Sequence, residues 1–360
     1  MLDGLAGFFT PWVVTLVVTL LHLALPGRWV VGYARDPITG ERLRYRLNGI
    51  LVLGVTVLGW ATLGATGALP WDWLYVHRWS SFAGACTLGL GFSLALVVGA
   101  PKVTPRFAAD LYLGRRDNPR LLGGRLDAKM WLYLVGAVML ELNVLSFAAH
   151  HALSYPRDPS PGVLLGAGLL TFFVLDYLTF ERVHLTTYDL FAERVGIKLG
   201  WGCLAFYPYF YAVALWSVVD RPNPGTATAL YAVSALLFLA GWSLSRGANL
   251  QKYLFKTRPG ASFLGITPEV IEDGQRSLLV NGFWGVSRHV NYLGEVLMGI
   301  GIALSVGYVT SPGPWLYPLY YLLLLVPRER DDDARCSAKY GELWRRYRER
   351  VPYRIVPYVY

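Results

Sequence analysis

Charge is scarce in this 360-residue chain. Asp, Glu, Lys and Arg make up 16% of it and hydrophobic residues 54%, with a mean hydropathy of +0.38. Soluble domains carry about 25% charged residues, so a water-solvated globular domain is excluded as the main architecture. Cysteine is scarce too. Cys86, Cys203 and Cys336 stand far apart with no Cys-x-x-Cys pair, which excludes a disulfide framework and a structural zinc site. No basic region precedes the first apolar run, Phe8 to Leu25, and Asp3 is the charge that does; the run reads as a first span rather than a cleaved signal. A Rossmann unit is also lacking, because Gly89-Leu90-Gly91 is a lone glycine pair inside an apolar run.

What the chain has is apolar length. A transmembrane helix takes roughly 20 mostly apolar residues. Runs of that kind predict spans at 8–26, 48–67, 81–100, 130–151, 162–179, 199–219, 227–245, 291–308 and 313–327, with room for a tenth span or a re-entrant segment in 255–285. The expected fold is therefore all-α, a polytopic membrane helical bundle of about 9–10 transmembrane helices.

The formal charge of +9 would suit a nucleic-acid binder if it were not so unevenly placed. All 33 Lys and Arg residues lie between the predicted spans, 30 on one set of alternate stretches and three on the other. By the positive-inside rule the rich set is cytoplasmic, which puts the N-terminus outside and the C-terminus inside. Topology accounts for the charge, so no nucleic-acid partner is expected. Localisation is integral and multi-pass, in a bacterial inner membrane or the endoplasmic reticulum, and nothing implies an obligate protein partner.

Ionisable groups at membrane depth mark polar cavities, and Glu141 and Asp176 fall within predicted spans. The densest polar chemistry lies from Arg246 onward. Lys252 and Lys256 are four apart and share a helix face. Asn281, Trp284, Arg288, His289, Asn291 and Tyr292 follow as a polar and aromatic cluster. Arg328, Asp332 and Tyr340 come next, and the chain closes on Val351-Pro352-Tyr353-Arg354. Residues 1–245 are expected to form the lipid-facing bundle and 246–360 a cytoplasmic-facing pocket, within one integrated domain.

These runs resemble the sterol reductase family, whose members reduce ring or side-chain double bonds of sterols with NADPH. The resemblance rests on Arg246-Gly247-Ala248-Asn249-Leu250-Gln251-Lys252, on Arg288-His289-x-Asn291-Tyr292 and on the tail. It extends to Asn48-Gly49, to Gly114-Arg115…Asn118-Pro119-Arg120…Asp127-x-Lys129 and to Gly200-Trp201-Gly202. Phe283-Trp284-Gly285-Val286 and Leu145-Ser146-Phe147 are nearest in wording to the 7-dehydrocholesterol reductase branch, which favours a delta-7 bond over delta-14. The chain departs from the family pattern at Val135-Gly136-Ala137 (Arg-Pro-Gly), Phe173 (tyrosine), Cys203 (aspartate), Glu295 (aspartate) and Pro327 (histidine).

The resemblance implies NADPH as cofactor and a sterol as substrate, with membrane lipid around both. Lys252 and Lys256 would meet the adenosine phosphates, and Leu279 and Trp284 would line the pocket. Arg288, His289, Asn291, Tyr292, Arg328, Asp332 and Tyr340 would contact the ribose, pyrophosphate or nicotinamide end. An isolated sterol double bond takes hydride only when a proton arrives with or before it, so a positioned acid is needed. Asp332 would place or balance that acid, which is Tyr340, Tyr211 or a water held by Asp176; Tyr207 and Tyr211 would wall the sterol. Two other readings stay open. Arg288-His289, Tyr292, Gly294 and Val351-Pro352 also fit an S-adenosylmethionine-dependent membrane methyltransferase of the isoprenylcysteine type, and a non-catalytic sterol-binding protein is the third.

Overall fold

The computed structural model describes residues 2–36 and 39–360. The chain is mostly helical and divides into two compact units, Met1–Asn223 and Pro224–Tyr360. Among the described residues, five helices are long and apolar enough to cross a membrane, and two shorter apolar helices accompany them. A helix lies at each predicted span, so the helical membrane bundle stands.

In the first unit, α1 (Leu2–Ala24) leads through an antiparallel hairpin, β1 (Arg28–Arg35) and β2 (Arg42–Leu47), into α2 (Gly49–Ala65). Helices α3 (Arg78–Val98), α4 (Ala128–Ser154) and α5 (Pro161–Thr179) follow. α4 is the centre of this unit, buried inside the protein along most of its length. Its start is set by Asp127, whose carboxylate accepts from the Met130 amide at 3.0 Å, a side-chain N-cap. α5 starts the same way on Ser160, with Pro161 in the first turn, where its missing N–H costs nothing.

The span expected at 199–219 is a broken helix. It runs Ile197–Trp201, passes through a wide π turn at Gly202–Phe206, resumes at Tyr207–Phe210 and is interrupted again before Val213–Trp216. The Pro208 carbonyl freed by that break accepts from Asn143 Nδ2 at 2.9 Å, a buried amide of α4. Backbone irregularity at membrane depth survives only where protein groups satisfy it, and here one does.

Conserving polar groups this way recurs in the motifs of this unit. Asn48 is locked to α1 through His22 Nδ1 at 2.6 Å, and the Gly49 amide at the start of α2 donates to Glu181 at 3.0 Å. Asp110 takes Arg115 at 2.7 Å, and buried Lys129 donates to the Leu190 carbonyl at 3.0 Å. The Asn-Gly and Asp-x-Lys runs therefore tie helices and loops together.

The second unit is built on α6 (Thr228–Thr257), which continues unbroken through residue 245. The hairpin β3 (Val270–Glu272) and β4 (Ser277–Leu279), the short α7 (Phe283–Val286), α8 (Val290–Ser305), α9 (Pro312–Tyr340) and α10 (Glu342–Arg350) follow. α6 and α8 meet backbone to backbone. A Cβ on Gly294 would come within 2.5 Å of the Gly241 carbonyl, and one on Gly241 within 2.5 Å of the Gly294 carbonyl. Small residues at helix crossings are how helices associate in lipid, where no hydrophobic effect drives them together. Ser245 Oγ donates to Glu295 at 2.6 Å across the same crossing. Short two-stranded sheets join the helices in both units, a feature that the all-α expectation did not include.

Candidate functional site

The polar cluster of the second unit is assembled from four stretches distant in sequence. The C-terminal turns of α6 carry Gln251, Lys252 and Lys256. Gln251 reads the backbone of the next stretch twice: its Oε1 accepts from the Phe283 amide at 3.0 Å and its Nε2 donates to the Asn281 carbonyl at 3.3 Å. Gly282 between them adopts φ +62° with its α-carbon pressed against the Gln251 amide, so a glycine is required there. Trp284 is fixed by an Nε1 hydrogen bond to the Ala248 carbonyl at 2.8 Å, and the Lys252 ammonium lies 5.0 Å from its ring centre, a cation–π contact.

The C-terminal tail forms the next layer. The amides of Arg288 and His289 donate to the carbonyls of Tyr353 and Arg354 at 2.9 and 2.8 Å, and Ser287 Oγ donates to Ile355 at 2.8 Å. Arg288 Nη1 donates to the carbonyls of Val351 and Pro352. Arg354 in turn pairs with the fully buried Glu329 of α9 at 3.0 Å. The Arg-His motif and the Val-Pro-Tyr-Arg tail are thus one zipped element, and that Arg288 nitrogen is committed to the tail.

α9 supplies the acidic side. The Asp332 carboxylate lies 4.0 Å from His289 Nε2, and Asp333 lies 3.9 Å from Arg288 Nε while accepting from Trp344 Nε1 at 3.1 Å. Burial pushes the His289 imidazole down to about 3, reinforced by the charges of Lys252, Arg288 and Arg354, so the ring is neutral at physiological pH. Tyr292 stacks on it, with ring centres 4.8 Å apart. Burial raises the Asp332 carboxyl above its ordinary value, opposed by the positive charges of Lys252, Arg335 and Arg328. Burial lifts the Cys336 thiol to about 12, which makes it a poor nucleophile.

Among the predicted residues, the structure brings Lys252, Trp284, His289, Tyr292 and Asp332 into one cluster, with Arg328 close enough for its charge to act on Asp332. Tyr340 is flanked by Lys339 and Arg276, at 4.9 and 5.9 Å from its ring centre, and packs beside the apolar group of Val280, Trp344, Tyr347 and Val351. Lys256 is exposed at the end of α6, and Leu279 is buried at the end of β4. Asn281 is a loop brace, accepting from the Glu269 amide and donating to the Thr267 carbonyl.

Among the described residues of this cluster, the buried atoms Arg288 Nε, His289 Nε2 and Asn291 Oδ1 have no hydrogen bond, although Asp333 lies 3.9 Å from the first and Asp332 4.0 Å from the second. Unsatisfied buried polar groups are rare and costly, so they point to a polar ligand at this place. Cations, a carboxylate and these open atoms together fit a ligand that is anionic at one end and rich in hydrogen-bonding groups. Asp333 escaped the sequence reading, and Gln251 entered it only as a member of the Arg246–Lys252 run, with no role of its own.

Asp176 and Tyr211 belong to the first unit. There Phe173, Tyr177, Tyr207 and Tyr211 form an aromatic group with Tyr133 and His184; Tyr207 and Tyr211 stand 4.6 Å apart, Phe173 and Tyr211 6.3 Å, and Tyr177 and His184 4.1 Å. His184 is fixed by the Tyr177 carbonyl at 2.9 Å. Glu141 is buried, accepts from Thr171 at 2.8 Å and leaves Oε2 without a hydrogen bond. His184 and Tyr133 escaped the sequence reading because one comes from the short turn after α5 and the other from α4, and they meet the tyrosines only in the fold.

The profile described as the ergosterol biosynthesis ERG4/ERG24 family matches residues 5–360. The chain is 33% identical to a delta(14)-sterol reductase of Arabidopsis thaliana over 97% of this chain and 96% of that protein. It is 33% identical to a delta(14)-sterol reductase of Methylotuvimicrobium alcaliphilum, covering 99% and 83%. It is 32% identical to the 7-dehydrocholesterol reductase of Xenopus laevis, covering 94% and 75%.

Proposed function

The chain belongs to the ergosterol biosynthesis ERG4/ERG24 family, and on that premise we propose that it is a membrane-embedded NADPH-dependent reductase that saturates a ring double bond of a sterol. The observation that carries the reading is the neutral His289 with its open Nε2, set 4.0 Å from Asp332 under a group of cations. Lys252 and Lys256 neutralise the nucleotide phosphates, and Leu279 and Trp284 line its pocket. Asn291 and His289 offer their open atoms to its hydroxyl and amide groups, with Arg328, Tyr292 and Tyr340 beside them. When bound, the reduced nicotinamide supplies hydride.

The chain's own work is to bind, to exclude water and to move a proton. Asp332, with its carboxyl raised by burial, holds or relays a proton more readily than an exposed aspartate does. The acid that Asp332 places or balances is Tyr340, with Tyr211 or a water held by Asp176 as the alternatives, and the aromatic group around Tyr207 and Tyr211 is the sterol wall. The cofactor site faces the cytoplasm.

Because relatives named delta(14)-sterol reductase match over nearly the whole chain, the delta-14 bond is the first choice of substrate. The delta-7 bond is second, favoured by the Phe283-Trp284-Gly285-Val286 run and by the 7-dehydrocholesterol reductase relative. Membranes containing the protein are to be incubated with NADPH and either an 8,14-diene or a 5,7-diene sterol, and products followed by mass spectrometry. Gain of two hydrogens by the 8,14-diene supports the first choice, and gain by the 5,7-diene alone supports the second. No NADPH-dependent reduction of either sterol, with stabilisation by S-adenosylmethionine in place of NADPH, overturns the reading.

A further inference from the structure

The β1–β2 hairpin is not used by the proposed chemistry, yet it is closely constrained. α1 ends at Ala24 and β1 begins at Arg28; β2 ends at Leu47 and α2 begins at Gly49. Both ends therefore enter apolar helices within a few residues, which holds the hairpin at the level where those helices leave the bilayer. One face is filled. Tyr45 is buried and lies over Gly32, where a Cβ would approach its ring to 2.3 Å, and the Arg120 guanidinium covers it at 4.8 Å.

The other face is largely exposed. Trp29, Val31 and Tyr33 alternate along β1 and are 45%, 56% and 55% exposed. The register sets Arg46 opposite Trp29 and Arg44 opposite Val31, and the Arg44 guanidinium stands 5.9 Å from the Trp29 ring centre. Alternation along a strand ordinarily turns apolar side chains to a core. Here the apolar series points away from the protein, beside basic groups. The stretch 27–47 holds five arginines against two acidic residues. Trp and Tyr have an apolar body and a polar tip, which suits the headgroup layer, and arginine there attracts anionic lipid.

We propose that this outward face rests in the headgroup layer and binds anionic phospholipid, with Trp29, Val31 and Tyr33 at the acyl boundary and Arg42 and Arg44 on lipid phosphate. The full chain with Val31→p-benzoylphenylalanine is to be photolysed in nanodiscs of equimolar phosphatidylcholine and phosphatidylglycerol, and adducts identified by mass spectrometry. Phosphatidylglycerol adducts should exceed phosphatidylcholine adducts by about threefold or more, falling towards parity when Arg42→Gln and Arg44→Gln are added. Adducts only to protein, whether a second copy or another partner, or equal capture of both lipids without the arginine changes, overturns the proposal. Should the substituted chain fail to fold, hydrogen exchange of unaltered protein decides. Residues 28–35 exchange more slowly in discs containing phosphatidylglycerol than in phosphatidylcholine alone, and equal exchange overturns the proposal.

Discussion

The neutral His289 is the residue whose physics reaches furthest. In the folded chain its imidazole is held down to about 3, below the ordinary 6.5 of the unfolded chain. The unfolded chain therefore binds the proton more readily. The stability this gives is fully present above pH 6.5 and is lost as pH falls from 6.5 towards 3, at a slope of up to about 1.4 kcal/mol per pH unit. Thermal unfolding in detergent between pH 7.5 and 5 should show a falling midpoint, and His289→Gln should flatten that dependence; an unchanged slope would refute a buried neutral ring. Asp332→Asn keeps the shape of the side chain and removes its titration. It should lower turnover by about a hundredfold or more while thermal stabilisation by NADPH persists, and full activity would refute the proton role. Much of this cluster was legible: Lys252, Trp284, His289 and Asp332 stood out as charged and aromatic residues in a chain poor in charge. The roles of Asp333 and Gln251 were not legible. Their meaning lies in what they hold, Trp344 and Arg288 for one and the backbone at 281–283 for the other, and pairs so distant leave no local pattern.

Between elements, the decisive contact of the second unit is the crossing of α6 and α8. Gly241 and Gly294 face each other's backbone, so any larger side chain must part the two helices. Gly294→Leu should cost about 3 kcal/mol or more through overpacking, read as faster thermal aggregation in detergent and lost NADPH stabilisation, because Lys252 and His289 sit on the two displaced elements. The same change at Gly54, where nothing lies within 4 Å, should leave both measurements nearly unaltered. A Gly294→Leu protein as stable as the parent would refute the close crossing. Helix positions were readable because long apolar runs fix them almost unaided. The hairpins were not: in β1 and β2 arginine occupies both faces, which obscures the period-2 signal. The π turn at 202–206 was equally hidden, although Pro208, which lacks the N–H that an α-helical bond to residue 204 needs, stands just after it.

At the level of the whole molecule, the placement of charge makes a claim that the fold alone does not. Thirty of 33 basic residues fall on alternate stretches outside the predicted apolar spans, and a bilayer that retains basic segments on its cytoplasmic side would orient such a chain with its C-terminus inside. That orientation would give Lys252, Lys256 and Arg328 access to a cytosolic nucleotide. It can be read with single cysteines at exposed positions, in a chain carrying Cys86→Ala, Cys203→Ala and Cys336→Ala. Arg125→Cys, in a basic loop, and Tyr358→Cys, in the tail, should react with an impermeant maleimide only after the membrane is opened. Thr310→Cys, in a stretch with no basic residue, should react in intact cells or right-side-out vesicles. The reverse pattern would put the cation cluster on the wrong side of the bilayer for NADPH, and a reductase drawing on the cytosolic pool could not be built on that arrangement, however well the individual side chains fit.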